Sequence, residues 1–332
     1  MTALATETAV TPVLAFDVDV AAVRELSPNF RRITFTGEGL RLFGVDGPTL
    51  DLRIKVVVPA LDAAGREIPL PTFGDPQAPE SGPGATALTG GWYQHWLSLD
   101  ERTRGSMRTY TVRDFRSGQT PELDVDFVMH FDADGNGGPA SLWADRAVAG
   151  DRVTIIGPNA GAVNCTTAKN YGGIEWRPGL ASHVLLAGDE TAVPAIAAIL
   201  AALPADMTGN AILEVPDAAD FQELVTAANI EFSWLARGDR PHGELLDAAV
   251  RDAVVVPGAG LRQGEGDEPE DVDIDNVILW ETTVESTRPF YAWIAGEAAV
   301  IRELRRYLVR DVGIDRKQVA FMGYWRQGKA EA

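Results

Sequence analysis

The hydrophobic pattern of this 332-residue chain changes its period near residue 178. Upstream, apolar side chains recur at every second position, as in Leu50–Val58 and Glu122–Phe131, and helical patterns are almost absent. Downstream, short apolar runs alternate with helical patterns such as Ala192–Leu203 and Glu297–Arg310. We therefore predict an N-terminal antiparallel β-barrel followed by an α/β domain with a doubly wound parallel sheet.

Each predicted domain is long enough to bury a core of its own. The barrel is expected over residues 13–178 and the α/β domain over residues 179–332, behind a flexible tail at residues 1–12. Within the barrel we expect one short helix, Ser141–Ala149, and in the α/β domain we expect a helix at Asp220–Ala228. Stretches rich in glycine, proline or acidic residues predict three long loops, at 69–91, 164–178 and 258–275.

Composition restricts the partners of the chain. Its formal net charge is −19, whereas nucleic acids and anionic membrane surfaces bind proteins that present a cationic face. The single cysteine, Cys165, allows neither an intrachain disulfide nor a cysteine-based metal site, and this count fits a reducing compartment. The N-terminus shows no signal-peptide pattern and no apolar run could span a bilayer, so we expect a cytoplasmic protein without stable membrane insertion.

The stretch Arg108–Arg113 carries the side chains that a flavin-binding strand needs. Tyr110 offers a ring that can lie against an isoalloxazine, and Arg108, two positions earlier on the same face, can pair with a phosphate. Thr111 offers a hydroxyl and a backbone N–H to the flavin, near its N5 atom. For these six residues alone, an edge strand with solvated arginines and a half-buried tyrosine is an equal alternative.

The motif Gly138–Ser141 opens the helix predicted in the barrel. The free N–H groups and the dipole at a helix N-terminus bind a pyrophosphate, and a glycine lets the backbone come close to it. The alternative is a plain helix that is capped by the side chain of Ser141. The position of the motif downstream of the Arg108–Arg113 strand favours the pyrophosphate.

The junction Gly188–Thr191 joins the first strand of the α/β domain to its first helix, where doubly wound sheets bind nucleotides. It lacks the G-x-G-x-x-G pattern, and Asp189 and Glu190 would also simply complement the helix dipole. Gly296 follows a later strand and would permit the close approach of a nicotinamide. The adjacent Glu297 is equally suited to cap the next helix.

Two further features stay open from the residues alone. Tyr324 and Trp325 near the C-terminus either cover a flavin or lie buried in a last strand. Arg237 or Arg240 follows the strand predicted at Ile230–Leu235, where the ribose of NADPH would lie, and a guanidinium suits its 2′-phosphate. No metal-site spacing of histidines and no nucleophile elbow occurs, so the chemistry is expected from a bound cofactor.

Taken together, these motifs resemble the siderophore-interacting protein family, the flavin-dependent ferric-siderophore reductases within the ferredoxin–NADP reductase superfamily. The stretches that carry the resemblance are Met107–Arg116, Glu122–His130, Gly138–Ala144, Leu185–Leu200, Tyr291–Glu297 and Gly323–Gly328. The resemblance implies FAD on the barrel and NADPH or NADH on the α/β domain, with a ferredoxin as another conceivable donor. The connection from His130 to Gly137 is longer than in the family, so its adenine pocket is expected to differ.

The resemblance also implies a set of site residues and leaves the chemistry to the flavin, without a catalytic acid or base. FAD contacts are expected from Arg108, Thr109, Tyr110, Thr111, Asp126, Phe127, Val128, His130, Gly138, Ala140, Ser141, Asp189, Thr191 and Trp325. NAD(P)H contacts are expected from Asp189, Glu190, Thr191, Arg237, Gly296 and Glu297. A ferric siderophore is often anionic, so Lys55 and Arg326, helped by Arg53, are expected to bind it.

The implied reaction passes electrons from NAD(P)H through FAD to Fe(III) in a siderophore. Fe(II) binds hard-oxygen chelators more weakly than Fe(III), so reduction amounts to release of the iron. Two alternatives stay open from the sequence. One is a flavin reductase or diaphorase with another electron acceptor, and the other is a siderophore-binding flavoprotein without enzymatic activity.

Overall fold

The computed structural model describes residues 11–88, 90–132, 134–162, 171–256, 279–283 and 287–328. The predicted tail up to residue 10, the part of the second long loop that includes Cys165, and the whole third loop at 258–275 lie outside the described residues. Within the described ranges, no helix is both long and apolar enough to cross a membrane.

The N-terminal half of the chain forms a closed barrel of six antiparallel strands. Its strands, with one short addition, are β1 (Val13–Ser27), β2 (Phe30–Thr36), β3 (Arg53–Val58), β4 (Ala85–Ala87), β5 (Ser106–Arg116), β6 (Glu122–Val128) and β7 (Arg152–Pro158). The order β2-β6-β5-β3-β7-β1 closes because β1 also pairs with β2, and β4 is added to β1. The strands turn apolar side chains such as Ile33, Val56 and Val125 into one core, which confirms the predicted barrel.

Two helices accompany the barrel. α1 (Trp92–Ser98) lies between β4 and β5, and it was not predicted because a helix of seven residues is too short to show a period. α2 (Pro139–Arg146) follows β6 and begins earlier than the predicted Ser141. The reason is Pro139, whose fixed backbone angle and missing N–H suit the first turn of a helix.

The second half of the chain forms a six-stranded sheet with helices on both faces. Its elements are β8 (His183–Gly188), α3 (Val193–Ala202), β9 (Thr208–Val215), β10 (Asn229–Ala236), α4 (Glu244–Ala253), β11 (Trp280–Glu281), β12 (Phe290–Glu297), α5 (Ala298–Arg306) and β13 (Val319–Trp325). In the order β10-β9-β8-β12-β13-β11, all pairs are parallel except β13 with β11. α3 packs on the face that shares its core with the barrel, and α4 and α5 pack on the other face. The predicted doubly wound domain is confirmed, with an antiparallel edge strand that was not predicted.

The helix predicted at Asp220–Ala228 is wrong. The chain forms only a 3-10 turn, Ala218–Asp220, and the residues that follow are irregular. The carboxylate of Asp220 caps this turn and also accepts hydrogen bonds from Asn29 and from the hydroxyl of Ser27 in the barrel. A contact between the domains therefore overrides the local helical preference.

A second buried carboxylate joins the two domains. Asp51 in the barrel accepts hydrogen bonds from the backbone N–H of Glu175 and Trp176, each at 3.1 Å, and from the indole N–H of Trp293 at 2.9 Å. Trp293 lies on β12, so this carboxylate ties the barrel and the domain connection to the sheet. Because buried donors need partners, the two domains have a definite mutual orientation and enclose a defined crevice.

Candidate functional site

A cleft of about 650 Å³ lies between the two domains. On the barrel side it is lined by the end of β6 and the start of α2, including His130 and Gly138. On the other side it is lined by Pro216, Arg237 and His242, which follow β9 and β10. Doubly wound sheets bind nucleotides at the carboxyl ends of their strands. The cleft therefore brings the predicted pyrophosphate motif against the carboxyl edge of the sheet.

β5 and β6 separate at the end that carries the predicted flavin strand. They pair from Val112 opposite Val125 onward, whereas the described pairing of Arg108–Thr111 is with β3. The N–H of Val112 donates to the carbonyl of Leu52 at 2.8 Å, toward β3. Successive N–H groups of a strand point to opposite edges, so the N–H of Thr111 points into the gap beside β6. The gap therefore offers a backbone donor to a flat ligand.

Arg108 and Tyr110 lie on the same side of this strand. The ring of Tyr110 packs against Phe127, with centroids 4.3 Å apart, and stays half-buried. The guanidinium of Arg108 donates to the carbonyl of Met107 at 2.8 Å, and among the described residues it pairs with no carboxylate. A guanidinium without a carboxylate next to an accessible ring suits the phosphate and the ring system of one flavin nucleotide.

The N-terminus of α2 is open toward the cleft. Gly138 is the N-cap, its backbone is extended, and no side chain caps the helix. A β-carbon at Gly138 would meet nothing within 4 Å, so a ligand has room there. The hydroxyl of Ser141 instead accepts a hydrogen bond from the N–H of His130 at 3.3 Å, which excludes the alternative of a helix capped by Ser141. The N–H groups of the first turn therefore remain for an anion such as a pyrophosphate.

Two of the FAD contacts expected on β6 have other partners. Phe127 is fully buried and packs against Trp143 inside the barrel, because alternate residues of a strand point inward. The carboxylate of Asp126 is buried and accepts two hydrogen bonds from Arg32, at 2.6 and 2.8 Å. The side chains of Phe127 and Asp126 therefore have partners inside the protein, and the FAD contacts expected from these two residues stay a prediction. Val128 is half-buried at the end of the strand.

Asp189 is the centre of the expected nicotinamide site. Its carboxylate is 4% exposed and accepts hydrogen bonds from Thr191, from the N–H of Glu297 at 2.8 Å and from the indole N–H of Trp325 at 2.7 Å. Burial, and then the charge of a neighbouring glutamate, raises the pKa of Asp189 to about 7. The structure thus unites residues from three separate motifs in one cluster at the edge of the sheet.

Gly296 lies directly beside the carboxylate of Asp189. Its φ angle is 153°, and a β-carbon there would lie 2.6 Å from the carboxylate of Asp189. The missing side chain therefore makes room for Asp189, and the close approach of a nicotinamide to this glycine stays a prediction. The carboxylate of Glu297 accepts hydrogen bonds from the N–H groups of Ala299 and Val300. Glu297 is therefore the N-cap of α5, which is the second of the two roles expected for it.

Arg237 is the partner of two buried glutamates. Its guanidinium donates to Glu190 at 2.9 and 3.1 Å and to Glu214 at 3.4 Å, and all three side chains are buried. Glu214 also accepts backbone N–H groups at the N-terminus of α4. Arg237 also lines the cleft, so its expected contact with a 2′-phosphate stays a prediction, although Glu190 and Glu214 already accept hydrogen bonds from it. Arg240, which is exposed and paired with Glu244 at 2.6 Å, is a second arginine of this loop that a phosphate can reach.

Trp325 lies between two histidines from different domains. Its ring centroid is 6.1 Å from that of His130 in the barrel and 5.0 Å from that of His242 in the α/β domain. Burial lowers the pKa of His242, whose Nδ1 has no hydrogen-bond partner among the described residues. His242 was not predicted as a site residue, since a lone histidine in a loop forms no pattern. Of the two C-terminal aromatics, Tyr324 packs on the shared core and Trp325 contacts residues that line the cleft.

A second pocket, of about 390 Å³, opens on the outer face of β3 and β5. Its lining includes Arg53, Lys55, Trp92, Thr109 and Tyr171. The ammonium of Lys55 donates to the hydroxyl of Thr109 at 2.7 Å, which places Thr109 on this face rather than in the gap beside β6. Arg326 is not among the lining residues, so the two cations expected to bind a siderophore do not line one pocket.

Each half of the chain matches the model of a known protein family. A model described as "Siderophore-interacting FAD-binding domain" matches residues 19–162, and one described as "Siderophore-interacting protein" matches residues 181–328. An uncharacterized protein of Mycobacterium tuberculosis is 31% identical over 96% of this chain and 92% of its own length. The ferric vibriobactin reductase ViuB of Vibrio cholerae is 27% identical over 95% of this chain and 90% of its own. A siderophore utilization protein from T. fusca has a crystal structure that matches with a TM-score of 0.65, at 26% identity, over 96% of this chain and 95% of that one.

Proposed function

The chain belongs to the siderophore-interacting protein family, and from this premise we propose that it is an FAD-dependent reductase that passes electrons from NAD(P)H to Fe(III) in a siderophore. The observation that carries the proposal is the cleft in which the open N-terminus of α2 meets the carboxyl edge of the parallel sheet. In this proposal one dinucleotide would bind on the barrel side of the cleft and a second on the sheet side. The name of the Vibrio cholerae relative, a ferric vibriobactin reductase, supports the activity.

The barrel residues fit FAD by their chemistry. The uncapped first turn of α2 and the open space at Gly138 would hold its pyrophosphate. Arg108 would pair with a phosphate oxygen, Tyr110 would lie against the isoalloxazine, and the N–H of Thr111 would donate to the edge of the ring. FAD, once bound, supplies the ability to take a hydride from a nicotinamide and to return single electrons.

On the donor side, Asp189 holds the residues around the nicotinamide. It orients Trp325 through the indole N–H and fixes Thr191 through two hydrogen bonds. Trp325 also contacts His130 and His242, which line the cleft from the two domains, and the three rings would surround the nicotinamide. If the donor is NADPH, Arg240 would bind its 2′-phosphate, since that guanidinium is exposed.

The iron step needs no acid or base from the protein. One NAD(P)H carries two electrons, so two Fe(III) are reduced for each nicotinamide oxidised, and the metal leaves as Fe(II) because hard-oxygen ligands hold it less tightly. The chain has to bring a chelate close to the flavin against the repulsion of a net charge of −19. Lys55, on the outer face of the strand next to the flavin strand, is placed to attract it.

An anaerobic titration of the purified protein tests the proposed function. NADPH and NADH are added in turn to the oxidised protein, and the loss of the visible absorbance of the flavin is followed before a ferric chelate is added. Bleaching by a nicotinamide and recovery on addition of the chelate are expected. A flavin that no donor bleaches would contradict an enzymatic role. Recovery with quinones but with no ferric chelate would favour a diaphorase.

The identity of the bound flavin is a first prediction. We expect the protein to release FAD and not FMN on heating, because the uncapped N-terminus of α2 suits a pyrophosphate and FMN has none. Chromatography of the released flavin against both standards gives the answer. Recovery of FMN alone would show that the helix terminus does not bind the cofactor.

The charge of the chelate is the basis of a second prediction. Neutralising both Lys55 and Arg326 by substitution with glutamine is expected to raise the KM for an anionic ferric chelate, by roughly fivefold for each charge that lies near it. Flavin reduction by the donor should not change. Steady-state kinetics at low salt with anionic, neutral and cationic chelates measure this effect.

The single variants refine this test, because the pocket lined by Lys55 is not lined by Arg326. Lys55→Gln alone is expected to produce the larger effect. Arg152→Gln, which removes an exposed cation from β7, serves as the control for total charge. If all chelates suffer equally, or if the control matches Lys55→Gln, attraction by Lys55 is not the cause.

A further inference from the structure

An exposed aromatic residue, Phe131, lines the barrel side of the cleft. It belongs to the connection between β6 and α2, directly upstream of the proposed pyrophosphate motif. Single exposed apolar residues are common on protein surfaces and do not by themselves indicate a ligand. Phe131 is of interest because its ring is held in a definite position, borders the cleft and lies beside an open helix N-terminus.

The ring of Phe131 is in contact with Gly137. A β-carbon at Gly137 would lie 2.7 Å from the ring, so a residue with a side chain would displace the ring from this position. The backbones of the two residues also form an antiparallel bridge. The ring is thus supported by the backbone on one side, while Phe131 as a whole remains 40% exposed.

The turn beyond this bridge is held by the carboxylate of Asp132. The carboxylate accepts hydrogen bonds from the N–H of Asp134 at 3.0 Å and from the backbone and side-chain amides of Asn136 at 2.8 and 3.0 Å. The N–H of Asp132 in turn donates to the carbonyl of Asn136 at 2.9 Å. These bonds determine the position of Phe131 without a ligand, and a preorganised ring loses little conformational freedom when a ligand packs on it.

The support of the ring is directly joined to the helix terminus. Gly137 is followed by Gly138, the N-cap of α2, where a ligand has room. In FAD the pyrophosphate is followed by a ribose and an adenine, and a base stacks readily on an aromatic side chain. Phe131 and Gly138 line the same cleft, so an adenosine that extends from a pyrophosphate at α2 would have the ring of Phe131 within its reach.

We propose that the adenine of FAD stacks on Phe131, and that this contact contributes to the selection of FAD over FMN. The inference rests on the proposed function for the identity of the dinucleotide. The adenine of NAD(P)H is the competing ligand for the ring. The FAD is favoured because the bridge with Gly137 ties Phe131 to the helix terminus on the barrel side, whereas the nucleotide-binding edge of a doubly wound sheet lies at the carboxyl ends of its strands.

The test compares flavins with and without an adenine. The full-length protein is reconstituted with FAD or with FMN, and ultrafiltration over a dilution series gives the dissociation constant of each flavin. Phe131→Ala removes the ring and Phe131→Tyr retains one. Phe232→Ala is the matched control, because Phe232 is 38% exposed but lies on β10. NADP⁺, which cannot reduce a flavin, is titrated into the FAD-containing protein to measure the affinity for the nicotinamide dinucleotide.

Phe131→Ala is expected to weaken FAD binding about 5- to 150-fold, the range that alanine substitution gives for a base stacked on an aromatic side chain. FMN binding should not change, because FMN has no adenine. Phe131→Tyr and Phe232→Ala should bind FAD like the wild type. If FMN binds too weakly for a dissociation constant to be measured, the difference between the alanine and tyrosine variants at Phe131 decides.

Three results would overturn the proposal. The first is an unchanged affinity for FAD in Phe131→Ala. The second is an equal loss of FAD and FMN affinity, because the ring would then stabilise the cleft instead of contacting the adenine. The third is a loss of NADP⁺ affinity without a loss of FAD affinity, which would assign the ring to the adenine of the nicotinamide dinucleotide.

The outcome is also distinguishable from a failure of the proposed function. If FAD binding depends on Phe131 but no nicotinamide donor bleaches the flavin, the adenine contact is supported and the reductase is contradicted. If donors bleach the flavin and Phe131→Ala binds FAD like the wild type, the reductase is supported and the adenine contact is overturned.

Discussion

Replacing Arg108 with alanine is expected to weaken FAD binding by about 2–3 kcal/mol, roughly 30- to 140-fold in the dissociation constant. The reason is that its guanidinium, on the strand beside the gap between β5 and β6, has no carboxylate partner among the described residues. The substitution would therefore remove a charge-assisted hydrogen bond to a phosphate, and no carboxylate among the described residues would lose an ion-pair partner. Fluorescence titration of the apoprotein with FAD measures the change.

Two variants show whether the effect belongs to the position of Arg108. Arg108→Lys keeps the charge but loses the planar fork, so part of the affinity should remain. Arg102→Ala removes an exposed arginine from the turn before the same strand and should leave FAD binding unchanged. If Arg108→Ala and the wild type bind FAD with the same dissociation constant, Arg108 is a solvated surface charge. That result would support the alternative of an edge strand with solvated arginines.

The largest loss of stability is expected from Arg237→Ala, about 3–5 kcal/mol in the free energy of unfolding. The substitution leaves Glu190 and Glu214, both fully buried, without the cation that compensates them. The buried Asp189 lies next to Glu190 in the chain and adds to the repulsion. Urea denaturation monitored by circular dichroism measures the loss, and a destabilised domain should also bind any nicotinamide donor less well.

The neighbouring Arg240 provides a matched control in the same loop. Its ion pair with Glu244 is exposed, so Arg240→Ala should change the free energy of unfolding by less than about 0.5 kcal/mol. Adding Glu190→Gln to Arg237→Ala removes one of the stranded charges and should recover part of the stability. If Arg237→Ala is as stable as the wild type and raises only the KM for NADPH, the guanidinium serves the 2′-phosphate after all.

The position of a candidate site residue on its strand or helix was predictable wherever neighbouring residues in the sequence define that element. Arg108, Tyr110 and Thr111 follow one another on a strand, and the two-residue period determines which of them share a face. The motif Gly138–Ser141 is likewise local, because a proline and a glycine mark the start of a helix wherever it packs. These predictions needed no information about the partner elements.

The sequence gives no signal where a side chain meets a residue that is distant in the chain. Nothing near Arg237 shows that it pairs with Glu190 rather than with a ligand, and Gly296 has the same local pattern whether it admits a nicotinamide or Asp189. The pocket on the outer face of β3 and β5 is similar, since Trp92 and Tyr171 in its lining come from two connections without a periodic pattern.

The two-domain architecture and the local motifs follow from the amino-acid sequence, because hydrophobic periodicity specifies which face of each strand or helix is buried. Which charged side chains can reach a ligand depends on how the two domains pack. A buried cation takes a carboxylate as partner wherever one lies within reach, and that reach depends on how the barrel and the sheet pack together. Because of the same packing, an interdomain contact replaces the helix predicted at Asp220–Ala228. Lys55 lines the outer pocket of the barrel, whereas Arg326 does not.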